Sequence, residues 1–120
     1  RQAATKLAEE GYDVAVVNPR FTKPLDAGTH EFFARSADAV VTLEDHALMG
    51  GYGSAVLELL SEKGVSTPVF RVGWPDQFIE HASSVDYLCN KHGLNVANTV
   101  AQAKARFAAP VVEQVEFRAA

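Results

Sequence analysis

The chain has 120 residues, 48% of them hydrophobic and 22% charged, with a formal net charge of −4. That length suits one domain with a modest core, and the balance excludes a disordered chain. An acidic chain without a basic, aromatic-interleaved stripe is not expected to bind nucleic acid. No apolar run approaches the roughly 20 residues of a membrane helix, so no membrane partner is expected either.

Helix and strand alternate along the chain. Gln2 to Glu10 is alanine-rich and free of breakers, and Gly11 is a natural stop. Asp13 to Val17 (DVAVV) reads as a first strand, ended by Asn18-Pro19. Ala27 to Arg35 reads as a short helix capped by Asp26, with Phe32 and Phe33 turned inward. Ala39 to Leu43 is a second strand. A helix starting at Gly51 or Gly53 runs to Lys63, with Val56, Leu57, Leu59 and Leu60 at helical spacing and Gly64 beyond it. Pro68 to Val72 is a third strand. Ser84 to Lys91 and Val96 to Phe107 close the domain as helices. Cys89 sits on the apolar side of the first of these, packing as a small hydrophobe.

Short strands that are continuous apolar runs are buried on both faces, and helices between them imply a parallel sheet with right-handed crossovers. The expected fold is therefore α/β: three layers, αβα, around a doubly wound, mostly parallel sheet. The domain is expected over residues 1–109, with a tail over 110–120. That tail (PVVEQVEF, then Arg118-Ala119-Ala120) alternates partially, and it is expected to pair with an open sheet edge. Cys89 is the single cysteine, so no internal disulfide forms and a reducing cytoplasm is the expected location. The first residue is Arg1 rather than methionine, which suggests a piece of something longer.

In open parallel sheets the functional edge lies at the carboxyl ends of the strands. Three loops lie there: Asn18 to Asp26, Glu44 to Gly53, and Gly73 to His81. The second contains a glycine turn, Gly50, Gly51, Tyr52, Gly53, followed by Ser54. No Walker A lysine follows it, and Val56 stands where a dinucleotide fingerprint needs a third glycine. Two readings stay open: backbone N–H groups that hold an anion, or glycines that permit close approach at a helix–sheet or subunit contact. Glu44 and Asp45 act together only if the strand has ended before them. Otherwise one caps nearby N–H groups and the other is solvated. His46 beside them reads as a surface or interface residue. Arg20 in the first loop could meet a phosphate, or pair with Asp26 or Glu44. Asp76 and His81 stand in the third loop, and Glu80 beside His81 suggests a proton carrier only weakly. His30 and His92 show no partner pattern. Zinc spacings are absent, so no metal site is expected.

"VVNPRFTKPLD", "LEDHALMGGYGSAVLELL" and "VGWPDQFIEHAS" stand in the order and spacing of three loops in the C-terminal domain of transketolase-type thiamine diphosphate enzymes. "KHGL" near residue 92 resembles the segment that follows. The resemblance covers residues 1 to about 107. Pro75 to Ile79 (PDQFI) makes it strongest to the 1-deoxy-D-xylulose-5-phosphate synthases. Another transketolase remains an alternative, as do the β subunits of 2-oxo acid dehydrogenases, which share the acid pair and glycine turn, and an anion- or small-molecule-binding regulatory module.

The resemblance implies a supporting and dimer-forming domain of a transferase serving isoprenoid precursor synthesis. Its partners would be the preceding domains of the same enzyme and a second copy. Thiamine diphosphate and magnesium would lie between those preceding domains, so no catalytic or cofactor-binding residue is expected in this chain. The resemblance also implies that a strand normally preceding the first helix is missing.

Overall fold

The computed structural model describes residues 1–81 and 83–107. The elements are α1 (Gln2–Glu9), α2 (Ala27–Ser36), β1 (Val40–Ala47), α3 (Tyr52–Glu62), β2 (Val69–Trp74), α4 (Val85–Lys91) and α5 (Val96–Phe107). β1 and β2 pair in parallel, from Val40 opposite Val69 to Leu43 opposite Val72. The register breaks before Ala47 meets Trp74. A parallel pair needs a crossover, and α3 supplies it.

Successive strand residues face opposite sides, and each side has its own core. Val41 joins Leu7, Val100 and Ala103, with Ala3, Tyr12, Val14 and Val96 around them, beneath α1 and α5. Val40 and Val69 join Ala34, Val56 and Leu60 beneath α2 and α3. Helices on both faces of a parallel sheet make the expected αβα layering. Burial of side chains such as Val56 and Leu60 contributes about 1.5–3 kcal/mol each and fixes the start of α3 over the sheet.

Caps follow the sequence. The Asp26 carboxylate accepts the Thr29 N–H at 3.0 Å, Ser84 Oγ accepts the Tyr87 N–H at 3.2 Å, and Asn95 Oδ1 accepts the Asn98 N–H at 2.8 Å. Each satisfies a donor that an α-helix leaves open in its first turn.

Three expectations need correction. Asp13 to Val17 is not a strand. Tyr12 and Val14 reach the core, but a strand exists only through a ladder, and β1 pairs solely with β2 among the described residues. Phe32 and Phe33 do not turn inward: they are 66% and 37% exposed, while His30 and Ala34 are buried. Those two lie four apart and set the inward stripe of α2. Nor is β1 buried on both faces, since Leu43 is 58% exposed. The expected tail pairing falls on residues 110–120, outside the described residues.

Candidate functional site

β1 runs on through Glu44, Asp45 and His46 to Ala47, across the break in register, and the two acids take separate partners. Glu44 Oε1 accepts the Gly53 N–H at 3.1 Å, and Asp45 Oδ1 accepts the indole N–H of Trp74 at 2.6 Å. Asp45, exposed as it is, thus has a partner. His46 is exposed and bonds through Nδ1 to the adjacent Ala47 carbonyl, at 2.9 Å.

The glycine turn is packed tightly against Glu44 and β2. A Cβ on Gly51 would lie 2.0 Å from Glu44 Oε2 and 2.6 Å from the Ala47 carbonyl oxygen. A Cβ on Gly53 would lie 2.6 Å from Thr42 Oγ1 and 2.8 Å from the Arg71 side chain. Gly50 has a φ of 70°, a left-handed conformation that glycine adopts without a steric cost.

Arg71 reaches over this turn from β2. Its Nη1 donates to the Leu48 carbonyl at 2.7 Å and to Ser54 Oγ at 2.8 Å, while Ser54 Oγ donates to the same carbonyl at 2.9 Å. Glu44 Oε2 and Thr42 Oγ1 are buried with no hydrogen-bond partner among the described residues. The start of α3 thus has an anion of its own chain, the Glu44 carboxylate. A second anion would meet like-charge repulsion there.

A second linkage joins the turn to the first loop. His30, 8% exposed, holds the Asp26 carbonyl through Nδ1 at 2.6 Å and the Tyr52 hydroxyl through Nε2 at 2.8 Å. Burial, then the Glu44 charge, pushes the Tyr52 phenol above its ordinary value. The Asp26 carboxyl lies below its ordinary value, chiefly through the Thr29 hydroxyl that donates to it. Beside His30 an open groove of about 460 Å³ is lined by Arg20, Phe21, Leu25 and Thr29, among others. Arg20 pairs with neither Asp26 nor Glu44 among the described ion pairs.

In the third loop Glu80 pairs with Lys91 and accepts from His92 at 3.2 Å. His92 also meets the Trp74 ring edge-on, centroids 5.8 Å apart. Lys91, a backbone N–H and His92 hold the Glu80 carboxyl down at about 2. Asp76 and His81 are exposed, so the adjacent Glu80–His81 pairing is replaced by Glu80–His92.

Sequence reasoning missed Arg71, His30, His92 and Trp74 as members of these linkages. Arg71 carried a signal, a cation within an apolar strand run. The others depend on contacts remote in sequence.

The fold and site define a parallel α/β domain whose strand-end loops are held by their own side chains. Residues 1–99 match the family described as transketolase, C-terminal domain. The chain is 53% identical over 102 residues to the 1-deoxy-D-xylulose-5-phosphate synthase of Methylacidiphilum infernorum (isolate V4), covering 85% of this chain and 16% of that protein. It is also 53% identical over 95 residues to the synthase of Acidobacterium capsulatum, covering 79% of this chain and 15% of the relative. A solved structure described as a split gene transketolase, inactive beta4 tetramer, superposes with a TM-score of 0.80 at 40% identity, over 88% of this chain and 34% of the other. The chain belongs to the transketolase C-terminal domain family. Its relatives favour the synthase branch over the 2-oxo acid dehydrogenase β subunits.

No group of three or more His, Cys, Asp or Glu among the described residues could hold a metal ion, and Glu44 fills the glycine-turn helix start with negative charge. No helix among the described residues is long and apolar enough to cross a membrane.

Proposed function

We propose that this chain is the C-terminal supporting and dimer-forming domain of a cytoplasmic enzyme that joins pyruvate to glyceraldehyde 3-phosphate. The reaction releases carbon dioxide and gives 1-deoxyxylulose 5-phosphate, an isoprenoid precursor. Thiamine diphosphate and magnesium belong to the other domains of that enzyme. The observation that carries this reading is 53% identity over 102 residues, 85% of this chain, to a synthase of that name.

The role of the chain's own residues is to present a fixed edge. Glu44 and Arg71 hold the glycine turn, His30 ties it to the first loop, and Glu80 holds the third. Met49 and Phe78, 65% and 104% exposed, follow the carboxyl ends of two parallel strands. Both therefore project from one edge of the domain, where a subunit or neighbouring domain would cover them. Tyr52 serves inside this chain, since its hydroxyl is bonded to buried His30.

A domain exchange tests the proposal. The C-terminal domain of the Methylacidiphilum synthase is replaced by residues 1–107 of this chain, and product formation from pyruvate and glyceraldehyde 3-phosphate is followed. The exchanged enzyme should be active and the chain alone inactive. A folded, cofactor-loaded exchange protein that forms no product would overturn the reading.

A further inference from the structure

His30 stands between two loops, and its hydrogen bonds define its protonation state. The Asp26 carbonyl can only accept, so Nδ1 carries the proton across the 2.6 Å contact. Neutral imidazole then has one acceptor left, Nε2, and the Tyr52 hydroxyl donates to it across 2.8 Å. The arrangement suits neutral His30 and only the Nδ1–H tautomer.

A second proton changes this. Cationic imidazole has two donors and no acceptor. Nε2–H would face the Tyr52 hydroxyl hydrogen, so the phenol must turn its proton elsewhere and accept instead. Among the described residues no carboxylate is hydrogen-bonded to the ring, and the Asp26 carboxylate acts on it only through space.

The charged and titratable groups around it are otherwise committed. Asp26, in the first loop, accepts from the Thr29 N–H and hydroxyl. Glu31, next on α2, pairs with Arg35 and Lys63. Glu44 on β1 accepts from Gly53, and Arg71 on β2 donates to Leu48 and Ser54. Arg20 lines the groove beside His30, and its positive charge opposes a second cation.

We propose that His30 and Tyr52 form a proton-operated latch between the first strand-end loop and the glycine turn. Neutral His30 clasps the start of α3 through the Tyr52 hydroxyl. Uptake of a solvent proton at Nε2 reverses the hydrogen bond: Tyr52 keeps its own proton, turns it away from the ring and accepts instead, and the start of α3 shifts with the phenol. The edge of the domain that presents Met49 thereby responds to the protonation state of His30.

Nitrogen-15 NMR of the chain reads the latch directly. At neutral pH, Nδ1 of His30 should be protonated and Nε2 bare. As His30 takes up its second proton, the backbone amide shifts of Gly51 to Ser54 should move with it. In Tyr52→Phe, which keeps the ring, His30 should still titrate while those amides no longer follow. Glu44→Gln separates any carboxylate titration from that of the imidazole. An Nε2–H tautomer in the unsubstituted chain overturns the proposal without any variant. So do amides that ignore His30, or that follow it equally in Tyr52→Phe.

Discussion

Glu44 reaches forward from β1 and accepts the backbone N–H of Gly53 at 3.1 Å. One carboxylate thereby closes the turn that joins sheet to helix. The contact leaves no room for a side chain on Gly51, whose Cβ would lie 2.0 Å from Glu44 Oε2.

Alanine at Gly53 sets two effects against each other. Helix propensity favours alanine over an interior glycine by about 1 kcal/mol. The added methyl group, however, would lie 2.6 Å from Thr42 Oγ1, and threonine is stiff at that position. Overpacking should win, and Gly53→Ala should lose about 1–3 kcal/mol in denaturant unfolding. A stabilised variant would show that the turn is looser than described.

Arg71 holds the Leu48 carbonyl and Ser54. Methionine in its place keeps much of the side-chain length and removes the charged donors. Hydrogen bonds to charged groups contribute about 1.5–3 kcal/mol each, so Arg71→Met should lower stability by at least about 1.5 kcal/mol. Faster amide exchange at Met49 to Ser54 should accompany the loss. Unchanged exchange there would remove Arg71 from the turn's support.

Glu80 gives a pH dependence of definite sign. Its carboxyl lies at about 2 rather than the ordinary 4.5, through Lys91, a backbone N–H and His92. A depressed value means stabilisation that is present above the unfolded value and lost as pH falls through the folded one. Stability should therefore fall between about pH 4.5 and 2, less steeply in Glu80→Gln. Lys91 is raised by the same partner, so its share is full below its ordinary value and lost only in strong alkali. Identical acid profiles for the two proteins would show that the pair does not persist in solution.

Association should depend on the strand-end apolar groups. Met49 and Phe78 are the most exposed large apolar side chains in their loops. If that edge meets a second copy, Met49→Asp with Phe78→Asp should shift a dimer toward monomer in sedimentation, with the far-ultraviolet spectrum unchanged. A dimer indifferent to both would place the contact elsewhere.

Much of this architecture was legible in the sequence because its causes are local. Asp26 precedes α2 as its cap, Gly11 and Gly64 follow helices, and apolar spacing marks α3. Asp13 to Val17 misled because a β-branched run states a preference, whereas a strand needs a partner edge. Phe32 and Phe33 misled because the inward phase of α2 is set by what α3 offers it. At the site, a carboxylate capping the glycine turn could be expected from Glu44. The His30–Tyr52 contact spans 22 residues and Glu80–His92 spans 12, and no local pattern announces either.

Support without cofactor binding is the central claim, and calorimetric titration of the chain with thiamine diphosphate and magnesium tests it most directly. The turn that could have received a diphosphate is already occupied by Glu44, so no heat of binding above dilution is predicted. Saturable binding with micromolar affinity would contradict the account.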